Sequence, residues 1–149
     1  MTARGFLIGC TLLCGCTAGE VLPVAEILNH RNCNSVVAGL TLVTFEDVAA
    51  MRGSTLIGIT TDPESDQPDL ALVVVSKGPQ PTPGYAFQLV SARHEGKTAV
   101  VELEWQEPSA DAVLAQVMTH PCLVVGIESA GYETLIVSDQ NGVLGTIDL

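Results

Sequence analysis

The sequence predicts a mainly β fold: an antiparallel β-sandwich or barrel-like sheet carrying one short packed helix at about 44–52. Three observations predict it. Short runs of four to nine residues are either continuously apolar or alternate apolar with polar, and turn residues punctuate them. Two hairpin signals stand between such runs, one around Glu95-Gly96-Lys97 and one at Asn141-Gly142. Only one segment combines a helical apolar face with caps at both ends.

That helical segment is Thr44 to Gly53. Thr44 can accept from the first free amides, with Asp47 in the reciprocal position of a capping box. Glu46 and Asp47 suit the positive end of the helix dipole and Arg52 the negative end. Phe45, Val48 and Ala49 share a face, and Gly53 is placed to stop the helix. Further along, Leu70 to Val75 is an unbroken apolar run, the pattern of a strand covered on both faces. Tyr85, Phe87 and Leu89 alternate with Ala86, Gln88 and Val90. After the turn at His94 to Lys97, Val101, Leu103 and Trp105 point one way while Glu102 and Glu104 point out. Cys122 to Ile127 and Thr134 to Ser138 are two more strands, and Gln140-Asn141-Gly142 turns the chain into Val143 to Leu149.

Composition bounds the rest. The chain has 149 residues and a formal charge of -11, which fits one domain and leaves little room for two. Six basic residues and 4% aromatics are too few for a groove that tracks phosphates and stacks bases, so nucleic acid is not an expected partner. At 47% hydrophobic the chain is no disordered acidic tail.

The first residues read as an address. Arg4 precedes an apolar run from Phe6 to Leu13, far shorter than the roughly 20 apolar residues that span a bilayer. Leu13-Cys14-Gly15-Cys16 resembles the lipobox of bacterial lipoproteins. That resemblance implies a signal peptide over 1–15, lipidation of Cys16 and a lipid-anchored tether over 16–22, followed by a single β-rich domain over 23–149. With Thr17 rather than Asp after the lipidated Cys, it implies the outer membrane, facing the periplasm. Cleavage after Ala18 is the alternative. Loss of Arg4 moves the charge from -11 to -12.

Of five cysteines, Cys10 and Cys14 leave with the signal and Cys16 takes the lipid, so Cys33 and Cys122 remain. An even remainder in an oxidising compartment argues for a disulfide. The competing readings are a zinc site with His30 and His120, and two free thiols.

Catalytic patterns are sparse. His30, His94 and His120 are the only bases suited to neutral pH, His94 in a hairpin turn and His120 before a proline. There is no Gly-x-Ser-x-Gly elbow, no His-Glu-x-x-His pair and no phosphate-binding glycine loop. Glu102 and Glu104 read as a solvated sheet face, and Asp62 to Asp69 as a solvated acidic loop lacking the glycine and closing glutamate of a calcium loop. The expectation is a protein that is not an enzyme and needs no cofactor or metal.

One segment is unusual: Gly78-Pro-Gln-Pro-Thr-Pro-Gly-Tyr85. Three prolines in five residues restrict the backbone, and Pro83-Gly84 suits the centre of a type II turn. Such a stiff loop loses little entropy on docking. The alternative is a plain connection in which Tyr85 anchors the core. The segment resembles the Pro-Thr-x-Gly-Tyr motif of PrcB-type domains, named after a lipoprotein subunit of a bacterial surface protease complex. The apolar strand before it, the Gly-Lys hairpin after it, and Pro108 ahead of Gln116 to Cys122 are similar too. The resemblance covers about Leu70 to Ser138. It implies a non-catalytic, lipid-anchored periplasmic domain that binds a protein partner through Pro81, Thr82, Pro83, Gly84 and Tyr85, as an accessory subunit of a protease or envelope complex.

The loop is also similar to the Asn-Pro-Thr-Thr-Gly-Tyr loop of chagasin-type cysteine-protease inhibitors. Gln80 replaces the Asn and Pro83 the second Thr, and no Arg-Pro-Trp loop follows. A protease inhibitor is therefore a second expectation, and an envelope enzyme a third.

Overall fold

The structure, a computed structural model, describes residues 20–33, 37–52 and 70–149. The expected signal peptide, Cys16, most of the expected tether, Gly53 and the segment Asp62 to Asp69 read as an acidic loop lie outside those residues. Nine strands and one helix follow in the order β1 (Glu20–Val21), β2 (Val24–His30), β3 (Gly39–Val43), α1 (Phe45–Arg52), β4 (Leu70–Ser76), β5 (Ala86–Glu95), β6 (Thr98–Gln106), β7 (Cys122–Glu128), β8 (Thr134–Asp139) and β9 (Gly142–Asp148).

They form two sheets packed face to face, ordered β1-β5-β6-β8-β9 and β2-β7-β4-β3, with no closed barrel. Every pairing is antiparallel except β6 with β8. Sequence patterning led to an all-antiparallel expectation, and the exception has a topological cause. After β6 the chain crosses to the other sheet and makes its return leg there as β7. It then re-enters the first sheet as β8, running in the direction of β6.

The main core lies between the sheets. Val73, Val75, Leu123, Val125 and Ile127 face Phe87, Ala99, Val101, Leu103, Trp105, Leu135 and Val137, all nearly excluded from solvent. The alternate residues of β4 and β7 face outward, yet they are buried as well. Leu72, Val74, Cys122 and Val124 form a second cluster with Leu28, Cys33 and Val48 of α1. A helix laid over the outer face explains why Leu70 to Val75 needs no polar alternation. The helix cap forms as expected. Asp47 N donates to Thr44 Oγ1 at 3.2 Å, and Thr44 N donates to Asp47 Oδ2 at 2.8 Å. The Thr44 amide and hydroxyl together hold the Asp47 carboxyl below its usual range.

The first sheet is covered on one face only. Glu102 accepts from Ser91 Oγ at 2.7 Å and pairs with Arg93, whose hydrogen bond chiefly lowers its carboxyl pKa, while Glu104 is exposed. Both therefore belong to a solvated outer face. The alternation in β5 breaks at Val90, where a bulge between Leu89 and Ser91 shifts the register and leaves Val90 exposed. At the far edges of the sandwich β3 lies against β9. A side chain at Gly145 would place its Cβ 3.0 Å from Leu40 Cγ, so glycine permits that close approach. The described residues include the last part of the expected tether. Glu20 and Val21 pair with His94 and Arg93, and Leu22 is buried.

Candidate partner-binding loop

The proline loop leaves β4 at Ser76 and enters β5 at Ala86. Its start is fixed from below. Ser76 Oγ accepts from Gly78 N at 3.0 Å and donates to the Pro121 carbonyl at 3.4 Å. Gln80 and Thr119 then exchange both backbone hydrogen bonds, at 2.8 and 2.9 Å, as a single rung of antiparallel ladder. One turn later the Thr119 hydroxyl donates to the Thr82 carbonyl at 3.0 Å. The final restraint is steric. Gly84 has φ +103°, the positive φ expected of a type II turn, and a Cβ there would sit 2.9 Å from Pro108 Cβ. Both the torsion and the close approach call for glycine.

Within this clamp, Pro81 and Gly84 are exposed, whereas Thr82, Pro83 and Tyr85 are partly buried. The Tyr85 ring stacks on Trp105 with centroids 5.6 Å apart, and Phe87 packs on the same indole at 4.6 Å. Tyr85 is thus packed on the core and holds the loop down. The exposed residues of the loop are Pro79, Pro81 and Gly84.

Trp105 is the hub beneath the loop. Its backbone N donates to Gln140 Oε1 at 2.9 Å, and its carbonyl accepts from Gln140 Nε2 at 2.7 Å. The Gln140 side chain so imitates the strand that β8 would otherwise continue to supply. The indole N–H donates to Glu107 Oε1 at 3.1 Å, and Lys77 Nζ lies 4.9 Å above the ring. Lys77 also pairs with Asp139 at 2.6 Å, where the carboxylate is only 1% exposed. Burial pushes the Asp139 carboxyl up, but the Lys77 hydrogen bond and the Asn141 amide outweigh it, and the net shift is downward.

The arm that supplies Pro108 and Thr119 is itself tied down at its far end. Cys33 and Cys122 form a disulfide with Cα atoms 5.9 Å apart, and both are buried. Cys33 N donates to the His120 carbonyl at 2.7 Å. The bond leaves a zinc site without its thiolates, and no cluster with metal-binding potential occurs among the described residues. His120 Nδ1 lies 3.3 Å from Asn32 Oδ1, His30 Nδ1 lies 3.1 Å from the Asn32 carbonyl, and the His94 ring rests against Tyr132 at 5.6 Å.

Sequence reasoning found the loop but missed what holds it. Gln80 meets Thr119 and Gly84 meets Pro108 across gaps of more than twenty residues, and nothing in their neighbours announces either contact. The Lys77–Asp139–Gln140–Trp105 group left no trace in the pattern either.

No curated protein and no solved structure compared with the chain matches it. The family model for the PrcB C-terminal domain does match, over residues 71–128, and no chagasin-type similarity accompanies it. The matched stretch runs from β4 through the proline loop and the clamping arm to the end of β7, and it is there that the chain is similar to PrcB-type domains.

Proposed function

We propose that this protein is a non-catalytic, lipid-anchored periplasmic subunit that binds a partner protein through the proline loop, as an accessory to a protease or envelope complex. One observation carries the reading. Within the family-matched segment, a surface loop is held by four hydrogen bonds, a glycine–proline contact and a stacked tyrosine, a degree of restraint that a mere connection does not require. A surface set in one conformation before docking loses little entropy when a partner covers it. The Cys16 lipobox supports the anchoring. By two-chain arithmetic, a multiply acylated cysteine gives the stable attachment that a single chain does not.

The test follows from the exposure of each residue. Affinity recovery with the full chain as bait should yield one partner, and changing Pro81 and Thr82 to Ala should reduce it. Tyr85 is unsuitable as a probe because its loss would loosen the core. Unchanged recovery from the Pro81/Thr82 variant would remove the loop from the interface. Mass analysis of Cys16 tests the anchor separately: a peptide beginning at unmodified Thr17 or Gly19 would sink it.

A further inference from the structure

Residues 107–119 join β6 to β7 without a helix or strand of their own. Eight large hydrophobic side chains are exposed among the described residues, and three of them, Val113, Val117 and Met118, fall within six positions of this arm. Val113 is 101% exposed, so the fold buries none of it. Ala112 and Ala115 beside it are exposed too. Exposed apolar side chains gathered in one short segment are the kind of feature that marks an interaction site.

The arm is also shaped in advance. Pro108 is lodged under Gly84 at one end, and at the other Thr119 bonds to Gln80 and Thr82. Between these anchors, Ala112 N donates to the Ser109 carbonyl at 3.0 Å and Val117 N to the Ala115 carbonyl at 2.9 Å, closing two tight turns. The patch therefore stands beside the proline loop and shares its attachment.

Charge narrows what can cover it. Glu107 and Asp111 lie in the arm itself, both exposed, and the arm carries no Lys or Arg. A membrane interface calls for cations or Trp and Tyr anchors, and the arm has none. A second copy would bring the same acidic side against its own image.

We propose that Ala112 to Met118 is the main docking element of this surface, and that it enters an apolar pocket of a partner protein whose rim carries Lys or Arg side chains. This deepens the protein-binding reading and rests on it.

The experiment is site-specific photocrosslinking of the full chain in the cells that encode it. A photoreactive phenylalanine analogue replaces Val113, Val117, Pro81 or, as an exposed control on β9, Val143. The expected result is one and the same protein adduct from 113, 117 and 81 and none from 143, with Lys or Arg flanking the crosslinked site. The double variant Val113→Ser, Val117→Ser should then bind the purified partner about tenfold or more weakly with its melting temperature unchanged, and high salt should weaken the parent complex as well. An adduct from 81 without one from 113 or 117 overturns the proposal and leaves the protein-binding reading standing. Adducts at none of the positions overturn both. A lipid adduct, an adduct with a second copy, or a partner site lacking cations each overturns the proposal.

Discussion

Two connections lie side by side on this molecule and differ in how they keep their shape. The β4–β5 connection is restrained along its whole length, by proline rings, by hydrogen bonds from Gly78 to Thr82, and by a tyrosine stacked into the core. The β6–β7 connection is fixed at its ends and leaves its apolar middle in water. Buried surface stabilises the fold wherever it is found, so the first connection is coupled to global stability. The second is coupled chiefly near its ends, through Glu107, Pro108, Thr119 and the disulfide behind them. Surface exposed in the arm is surface that the fold does not use.

That contrast can be broken most severely at Trp105. Its replacement by Ala removes the ring under Tyr85, Phe87 and Lys77, and urea unfolding should show a loss of about 3–5 kcal/mol. A smaller loss would mean that the loop does not depend on the core. Next comes the disulfide. It spans 89 positions, and Cys33→Ala with Cys122→Ala should lower stability by about 2–4 kcal/mol, most of it through freedom restored to the unfolded chain. If the Cys33–Cys122 link also steadies the arm, hydrogen exchange at Thr119 should quicken more than exchange at Phe87.

The clamp itself should matter less. Thr119→Val keeps the shape but removes the hydroxyl that bonds the Thr82 carbonyl, an expected cost of about 1 kcal/mol in thermal or urea unfolding. A null result would show that the Gln80 rung is sufficient. The pH response is sharper in direction than in size. The Asp139 carboxyl titrates lower folded than unfolded, so its contribution is fully present above the unfolded value of about 3.9 and is lost as pH falls through the folded value. Asp139→Asn should flatten the acid limb of the stability curve and leave neutral pH behaviour governed by the lost Lys77 pair. Smallest of all is Val113→Ser, expected to change stability by less than about 0.5 kcal/mol. A larger loss would place Val113 in the fold and end the contrast between the two connections.

How much of this was legible in the sequence depended on range. The Thr44–Asp47 cap, the turn at Gly96-Lys97 and the alternation of Val101, Leu103 and Trp105 each arise within a few residues, and each formed as read. The proline loop was visible because ring torsions are local. Whether Tyr85 projected or packed down was not, because Trp105 lies twenty residues away and only the sandwich brings them together. The exposed valines of the arm were equally silent. Apolar residues in a sequence predict burial, and their exposure is evident only once the rest of the chain has closed without them.

Taken alone, the sequence determined a β-rich domain with one capped helix, five cysteines and a stiff, family-like loop. These follow from torsional preference, side-chain alternation and counting, which need no knowledge of what lies across the core. The tertiary structure decided that β6 and β8 run parallel, that Val90 is bulged out, that Cys33 meets Cys122, and that Thr119 and Pro108 clamp the proline loop. Each of these is a contact between segments far apart in the chain. Their pairing is selected by the joint packing of two sheets, and no local pattern encodes it.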